Sequence, residues 1–164
     1  MKFKKPKFWD YNKPNFLSYL FFPVAIILKT IKSLINLTTK KNKYPLIKTI
    51  CVGNIYLGGT GKTSLSLKIN EILKKKIKTC FIKKYYPDQI DEQKILANHG
   101  KLFTSKDRSS SIKEAINENF QLAIFDDGLQ DPSINYDYNI VCFNIENWIG
   151  NSFTIPAGPL RENI

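Results

Sequence analysis

The residues with chemistry in them crowd into one stretch, Tyr56-Leu57-Gly58-Gly59-Thr60-Gly61-Lys62-Thr63. A short apolar run, Ile50 to Val52, leads into it, and a helical pattern follows at once. Strand, tight loop and helix N-terminus is the order that a phosphate-binding loop requires. Glycines let backbone N–H groups point at phosphate oxygens with no Cβ in the way. A helix starting near Lys62 adds unpaired N–H groups and the positive end of its dipole. The Lys62 ammonium reaches β- and γ-phosphates in such a loop, and the Thr63 hydroxyl holds Mg²⁺. The strict pattern has glycine where this chain has Tyr56; Gly58 and Gly59 supply the missing freedom. Residues 56–63 are therefore the expected nucleotide site, with ATP and Mg²⁺ as the expected ligands. The competing reading is a glycine-rich turn with no ligand.

A second acid-bearing element supports the first. Leu122-Ala123-Ile124-Phe125 is an apolar run ending in Asp126-Asp127-Gly128. An apolar strand closing on an acid is the second element of a phosphate-loop NTPase, where the carboxylate faces Mg²⁺ directly or through water. Taken alone, Asp-Asp-Gly after a strand is equally a turn. Asp91-Glu92, at the start of a helical stretch, reads on its own as acids favoured by the helix dipole.

The elements that must position these groups alternate. The expected helices are Ser64 to Lys75, one starting at Asp91, and Ser110 to Glu118. The expected strands are Ile50 to Val52, Lys78 to Ile82, Lys101 to Phe103, Leu122 to Phe125 and Asn139 to Phe143, with Lys83 to Pro87 as a loop. Strands alternating with helices predict an α/β fold, P-loop NTPase-like, with a mainly parallel sheet flanked by helices. The chain's 164 residues suit one such domain. Cys51, Cys80 and Cys142 each lie in an apolar run without metal-ligand spacing and read as reduced core thiols. His99, the one histidine, reads as a helix-end residue.

Charge is distributed unevenly. Residues 1–48 hold eleven lysines against one acid, Asp10, while the rest of the chain is nearly balanced within a net charge of +11. Lys2 to Lys7 is a basic tail, and Phe16 to Leu28 is an apolar run of thirteen residues closed by Lys29 and Lys32. A spanning helix needs about 20 apolar residues, and Pro23 predicts a kink. Three readings stay open: a core helix, a helix lying in an anionic membrane interface with Trp9 and Tyr11 at the boundary, and a spanning anchor or signal. No nucleic-acid recognition module accompanies the basic tail, so nucleic acid is not an expected partner. The division expected is a membrane-associating segment, 1–45, and an α/β kinase domain, 46–164.

Together these residues resemble a family. Val52-Gly53-Asn54-Ile55 with Gly58 to Thr63, then Asp126-Asp127-Gly128-Leu129-Gln130, then Pro156-Ala157-Gly158-Pro159-Leu160-Arg161-Glu162, are similar in order and type to the tetraacyldisaccharide 4′-kinases, the lipid A kinases. Phe8-Trp9, Leu20 and Pro23 are similar to that family's leading hydrophobic helix. The family's loop departs from the strict pattern at the same position as Tyr56.

The resemblance implies transfer of phosphate from ATP, with Mg²⁺, to the 4′-hydroxyl of a tetraacylated glucosamine disaccharide. The substrate is a lipid A precursor, met at the cytoplasmic face of the bacterial inner membrane. The family's Gly-Asp-Glu-Pro element corresponds to Ile90-Asp91-Glu92-Gln93. The resemblance thus implies Asp91 as general base, working with Lys62, and Glu92 beside the metal with Thr63, Asp126 and Asp127. Three departures follow. Lys83-Lys84-Tyr85-Tyr86 stands where the family has Ser-Arg-Gly-Tyr, and Asp131 stands where it has His. The family continues past Glu162 into a second α/β domain that supplies a histidine partner for the base. The resemblance therefore implies a truncated kinase or one completed by a separate chain. The alternative is an inactive nucleotide- and membrane-binding module derived from that kinase.

Overall fold

The structure is a computed structural model that describes residues 5–162; the start of the basic tail, residues 1–4, lies outside them. The chain divides into two compact units. One comprises residues 40–53 and 61–142, the other residues 1–39, 54–60 and 143–164.

The first unit is the α/β body. Its elements run β1 (Lys48–Gly53), α2 (Lys62–Leu73), β2 (Thr79–Lys84), α3 (Ile90–His99), β3 (Leu102–Ser105), α4 (Arg108–Asn117), β4 (Leu122–Asp126) and β5 (Tyr138–Val141); α1 (Phe16–Thr38) belongs to the other unit. Among the described residues the five strands form one sheet in the order β3-β2-β4-β1-β5. Every pairing is parallel. Parallel neighbours need crossover helices, and these cover both faces. The sequence shows why. Side chains alternate across a strand, so Cys51, Cys80, Ile82, Ala123 and Phe125 fall on one face with Ile112 and Ala115 of α4. Val52, Phe81, Leu122 and Ile124 fall on the other, against Leu65 and Ile69 of α2 and Leu96 of α3. Full burial on both faces gives β4 its unbroken apolar run.

Boundaries differ from expectation in three informative places. Strand β2 continues through Lys83 and Lys84, because two carboxylates, buried Asp126 and half-exposed Glu92, compensate the charge of Lys83. Helix α4 starts at Arg108, two residues earlier than expected, because the Asp107 carboxylate caps it by accepting from the Ser109 N–H at 3.1 Å. Strand β5 ends at Val141, and Cys142 beyond it is only partly buried. Cys51 and Cys80 are free, buried thiols, and burial pushes both up to about 12.

The second unit is built around α1 (Phe16–Thr38), 23 residues opened by a capping box between Asn15 and Ser18. The helix runs uninterrupted past Pro23 and past Lys29 and Lys32, since Ile31, Leu34, Ile35 and Leu37 prolong the apolar pattern. Only Ser18 and Ala25 are buried along it; Phe16, Leu20, Ile27, Leu34 and Leu37 are among many exposed apolar side chains. Among the described residues, little protein covers this apolar surface. At roughly 1.5 Å per residue the helix is about 35 Å long. It is long and apolar enough, by length and composition, to cross a membrane.

The remainder of this unit anchors that helix at its start. Asn151 is fully buried and its amide donates to Ser18 Oγ at 2.8 Å and to the Ala157 carbonyl at 3.0 Å. Gly158 has to be glycine here: a Cβ would meet Asn151 Oδ1 at 2.1 Å and the Phe153 carbonyl oxygen at 2.4 Å. Trp9 is buried, with its indole N–H donating to the Pro156 carbonyl at 3.0 Å. It therefore belongs to the protein interior and not to a membrane boundary, whereas Tyr11 is exposed.

Candidate active site

In the α/β body, β1 and β4 lie side by side with Val52 opposite Asp126, and the Asp127 N–H donates to the Val52 carbonyl at 2.8 Å. The carboxyl ends of the two strands thereby bring the expected residues together. Gly61 precedes α2 in the left-handed region, φ 75°, a conformation that side chains rarely adopt. Helix α2 begins on the next residue and presents Lys62 and Thr63 from its first turn. Lys62 Nζ lies 3.8 Å from Asp127 Oδ1. The Thr63 hydroxyl donates to Asp126 Oδ2 at 3.3 Å, and the Ser66 hydroxyl, one helical turn on, reaches Asp126 Oδ1 at 3.4 Å.

Asp126 is fully buried, and its main compensation is Lys83, itself 2 % exposed. Lys83 Nζ lies 2.6 Å from Asp126 Oδ2 and 2.6 Å from Glu92 Oε2. Burial pulls the lysine's pKa down, but the two carboxylates outweigh it and hold it above its ordinary value. Glu92 sits in the first turn of α3. Asp91 precedes it in the same turn with an exposed side chain. Lys83, Ser66 and Arg108 were not found by sequence reasoning. Lys83 had a usable signal: it lies at the carboxyl end of a central parallel strand, where open α/β sheets bind ligands.

Arg108 braces the acid-bearing turn. Its guanidinium donates to the Asp127 carbonyl at 2.7 Å and to Asp131 Oδ2 at 3.0 Å. Burial alone would raise the Asp131 pKa, but bonds from the Ser133 hydroxyl and N–H, and the Arg108 charge, hold it below its ordinary value.

Residues 54–60 belong to the other unit. Asn54 Nδ2 donates to the Gly58 carbonyl at 3.1 Å. The Leu57 N–H donates to the Pro159 carbonyl at 2.9 Å, and the Arg161 N–H to the Ile55 carbonyl at 2.6 Å, so the Pro-Ala-Gly-Pro-Leu-Arg segment holds this stretch in place. The Tyr56 hydroxyl bonds to Asp10, and Lys5 Nζ lies 3.1 Å from it. Tyr56 and Leu57 thus spend their polar groups on protein partners. Gly59 has open space where a Cβ would be. The Thr60 hydroxyl oxygen is buried without a hydrogen-bond partner, an orphaned polar atom of the kind a ligand satisfies.

The donor set fits magnesium. Thr63 and Asp126 offer hard oxygens within hydrogen-bond reach of each other. No cluster of three or more His, Cys, Asp or Glu side chains that could hold an ion occurs among the described residues. Magnesium, which retains waters and takes one or two carboxylates plus substrate phosphates, needs no such cage.

A parallel sheet with Gly-Lys-Thr between its first strand and first helix, and an acid at the end of the adjacent strand, defines a phosphate-loop kinase fold. Residues 17–164 match the model of the Tetraacyldisaccharide-1-P 4'-kinase family, and the chain belongs to that family. It is 60% identical over its whole length to the tetraacyldisaccharide 4'-kinase of Pelagibacter ubique (strain HTCC1062), covering 52% of that protein. It is 33% identical over 99% of its length to the enzyme of the same name from Rickettsia akari (strain Hartford), covering 54% of it. The chain thus spans about half the length of the curated relatives it matches. The crystal structure of the "apo" form LpxK from Aquifex aeolicus in complex with ATP shares the fold, with a TM-score of 0.76 and 24% identity over 89% of this chain and 54% of that one.

Proposed function

We propose that this chain carries the nucleotide half of a tetraacyldisaccharide 4′-kinase, transferring the γ-phosphate of ATP to the 4′-hydroxyl of a tetraacylated glucosamine disaccharide. The observation that carries the reading is Lys62 and Thr63 held against Asp127 and Asp126, in a chain of this family. In this reading the glycine-rich segment 58–63 receives the phosphates. Lys62 stabilises charge on the transferred group, and the orphaned Thr60 hydroxyl gains a partner. Thr63, Asp126 and Asp127 hold Mg²⁺, with Glu92 beside them. The ion, when bound, neutralises phosphate charge. The exposed Asp91 carboxylate accepts the proton of the sugar hydroxyl.

The acceptor is an amphiphile, and α1 suits one. A groove of about 360 Å³ runs between that helix and residues 154–162, lined by Ala25, Leu28 and Leu160 with Lys29, Lys32 and Arg161 at its edge. Apolar walls beside cations fit acyl chains next to a phosphorylated sugar. The exposed apolar helix and the lysines before and after it in sequence support a reaction at the cytoplasmic face of the inner membrane.

The test is phosphate transfer from labelled ATP to a tetraacyl disaccharide in detergent micelles. Transfer by the native chain that disappears in Lys62→Ala and Asp91→Ala supports the proposal. ATP binding that persists with no transfer, even when the part of a relative that this chain does not span is added as a second chain, supports a binding module instead.

A further inference from the structure

Lys83 is the one buried lysine in the α/β body, and its surroundings are unusual in three ways. Its ammonium is shared by two carboxylates at equal distance, 2.6 Å each, from different elements. One of them, Asp126, has both oxygens engaged: Oδ2 by Lys83 and Thr63, and Oδ1 by Ser66. The other, Glu92, is half exposed, so its carboxylate did not need an internal partner to be solvated. Ordering an exposed glutamate onto a buried lysine fixes the turn it belongs to. That turn carries Asp91.

We infer that Lys83 is a positioning residue of this site. It acts as a fixed internal cation that ties the first turn of α3, and with it Asp91, to Asp126, and that competes with a divalent ion for the Oδ2 oxygen of Asp126. The inference rests on the reading of Asp126 as the metal-site acid. Charge-assisted bonds of this length are strong and directional. With the ammonium present, the Asp126–Glu92 pair carries one net negative charge; without it, two. The lysine therefore lowers the attraction of the empty site for a bare divalent cation, which is then captured chiefly with the nucleotide's phosphates. It also places the proposed base without using a bond to Asp91 itself.

The experiment compares the native chain with Lys83→Met, Lys83→Arg and Glu92→Gln by two readouts that need no catalysis. The first is amide hydrogen exchange of residues 94–97, whose helical acceptors lie in the first turn of α3. The second is Mn²⁺ binding in the absence of nucleotide, followed by electron paramagnetic resonance. Loss of the tie raises exchange of 94–97 about tenfold in Lys83→Met and Glu92→Gln, while α2 and β4 keep native protection. Loss of the ammonium tightens Mn²⁺ about tenfold in Lys83→Met, whereas Glu92→Gln, which keeps Lys83 on Asp126 and removes one negative charge, does not tighten it. Lys83→Arg retains native values in both. Should Lys83→Met fail to fold, Glu92→Gln decides, since it leaves the buried pair intact. Unchanged exchange of 94–97 in Glu92→Gln overturns the inference. So does Mn²⁺ binding in Lys83→Met that is no tighter than in the native chain, which would show that the ammonium does not compete for Asp126. Lack of Mn²⁺ binding in every variant overturns the metal half and, with it, the reading of Asp126 as a metal acid. The exchange result still judges the tie on its own.

Discussion

Asp131 stands where the resembling motif has histidine, and its partner Arg108 is a buried cation that also holds the Asp127 carbonyl. The pair keeps the acid-bearing turn in shape, so it ought to register in stability as a function of pH. The Asp131 carboxyl is held below its ordinary value of 3.8, since the Ser133 bonds and Arg108 outweigh the effect of burial. A depressed carboxylate stabilises the fold fully above its ordinary pKa and loses that contribution as pH falls through the lower, folded value. Asp131→Asn is therefore expected to cost about 2 kcal/mol at pH 7, the cost of leaving a charged donor without its acceptor. The gap from the native chain should close in acid, below pH 3.8. Urea titrations at pH 7 and pH 3 check this; an equal gap at both would show that the carboxylate's charge contributes nothing. Residue types exposed part of this site in advance. Gly-Lys-Thr after one strand, paired with Asp-Asp closing another, was enough to expect that Lys62 and Thr63 lie near Asp127 and Asp126. Lys83 was not, because a lysine pair before Tyr-Tyr-Pro looks like a solvated loop until its two carboxylates are brought in from 9 and 43 residues away.

Among the elements, the alternation of strands and helices was plain because the central strands are covered on both faces, which makes β4 an unbroken apolar run and gives β1 and β2 apolar centres. The ends were less so. Helix α4 begins two residues before its expected start, and the reason is one side chain, the Asp107 cap. Asp107→Ala is expected to destabilise the chain by about 1 kcal/mol, the usual worth of such a cap. Increased exchange of the first hydrogen-bonded amides of α4 should accompany the loss. If stability and exchange both stay native, the cap is ornamental and Arg108 alone positions the helix start. Helix α1 was harder to read for a different reason. Lys29 and Lys32 interrupt the apolar run in the sequence. On a helix, long lysine stems lie along apolar surface and carry their charge outward, so the same residues do not interrupt the element. One of them, Lys32, reaches Glu162 at 2.8 Å.

Across the whole molecule, nearly all of the excess charge lies in the first 48 residues of the sequence, which also contain the helix that leaves most of its apolar surface exposed. Two forces then act together. Burying apolar side chains of α1 in a bilayer is favourable irrespective of lipid charge. The surrounding lysines add about 1 kcal/mol each near an anionic surface, an attraction that falls off within a Debye length. The two are separable by salt. The full chain is expected to partition onto vesicles containing anionic phosphatidylglycerol more strongly than onto neutral phosphatidylcholine. The difference should shrink as salt rises from about 0.05 M to about 0.5 M, where the Debye length has fallen several-fold. A residual, salt-independent binding to both vesicle types measures the apolar contribution. Equal partitioning onto both types at low salt would mean that the lysines do not face the lipid and that α1 alone sets the affinity. Weak binding to either would mean that the exposed face of α1 is covered by protein, which returns the question to the half of the relatives' length that this chain does not span.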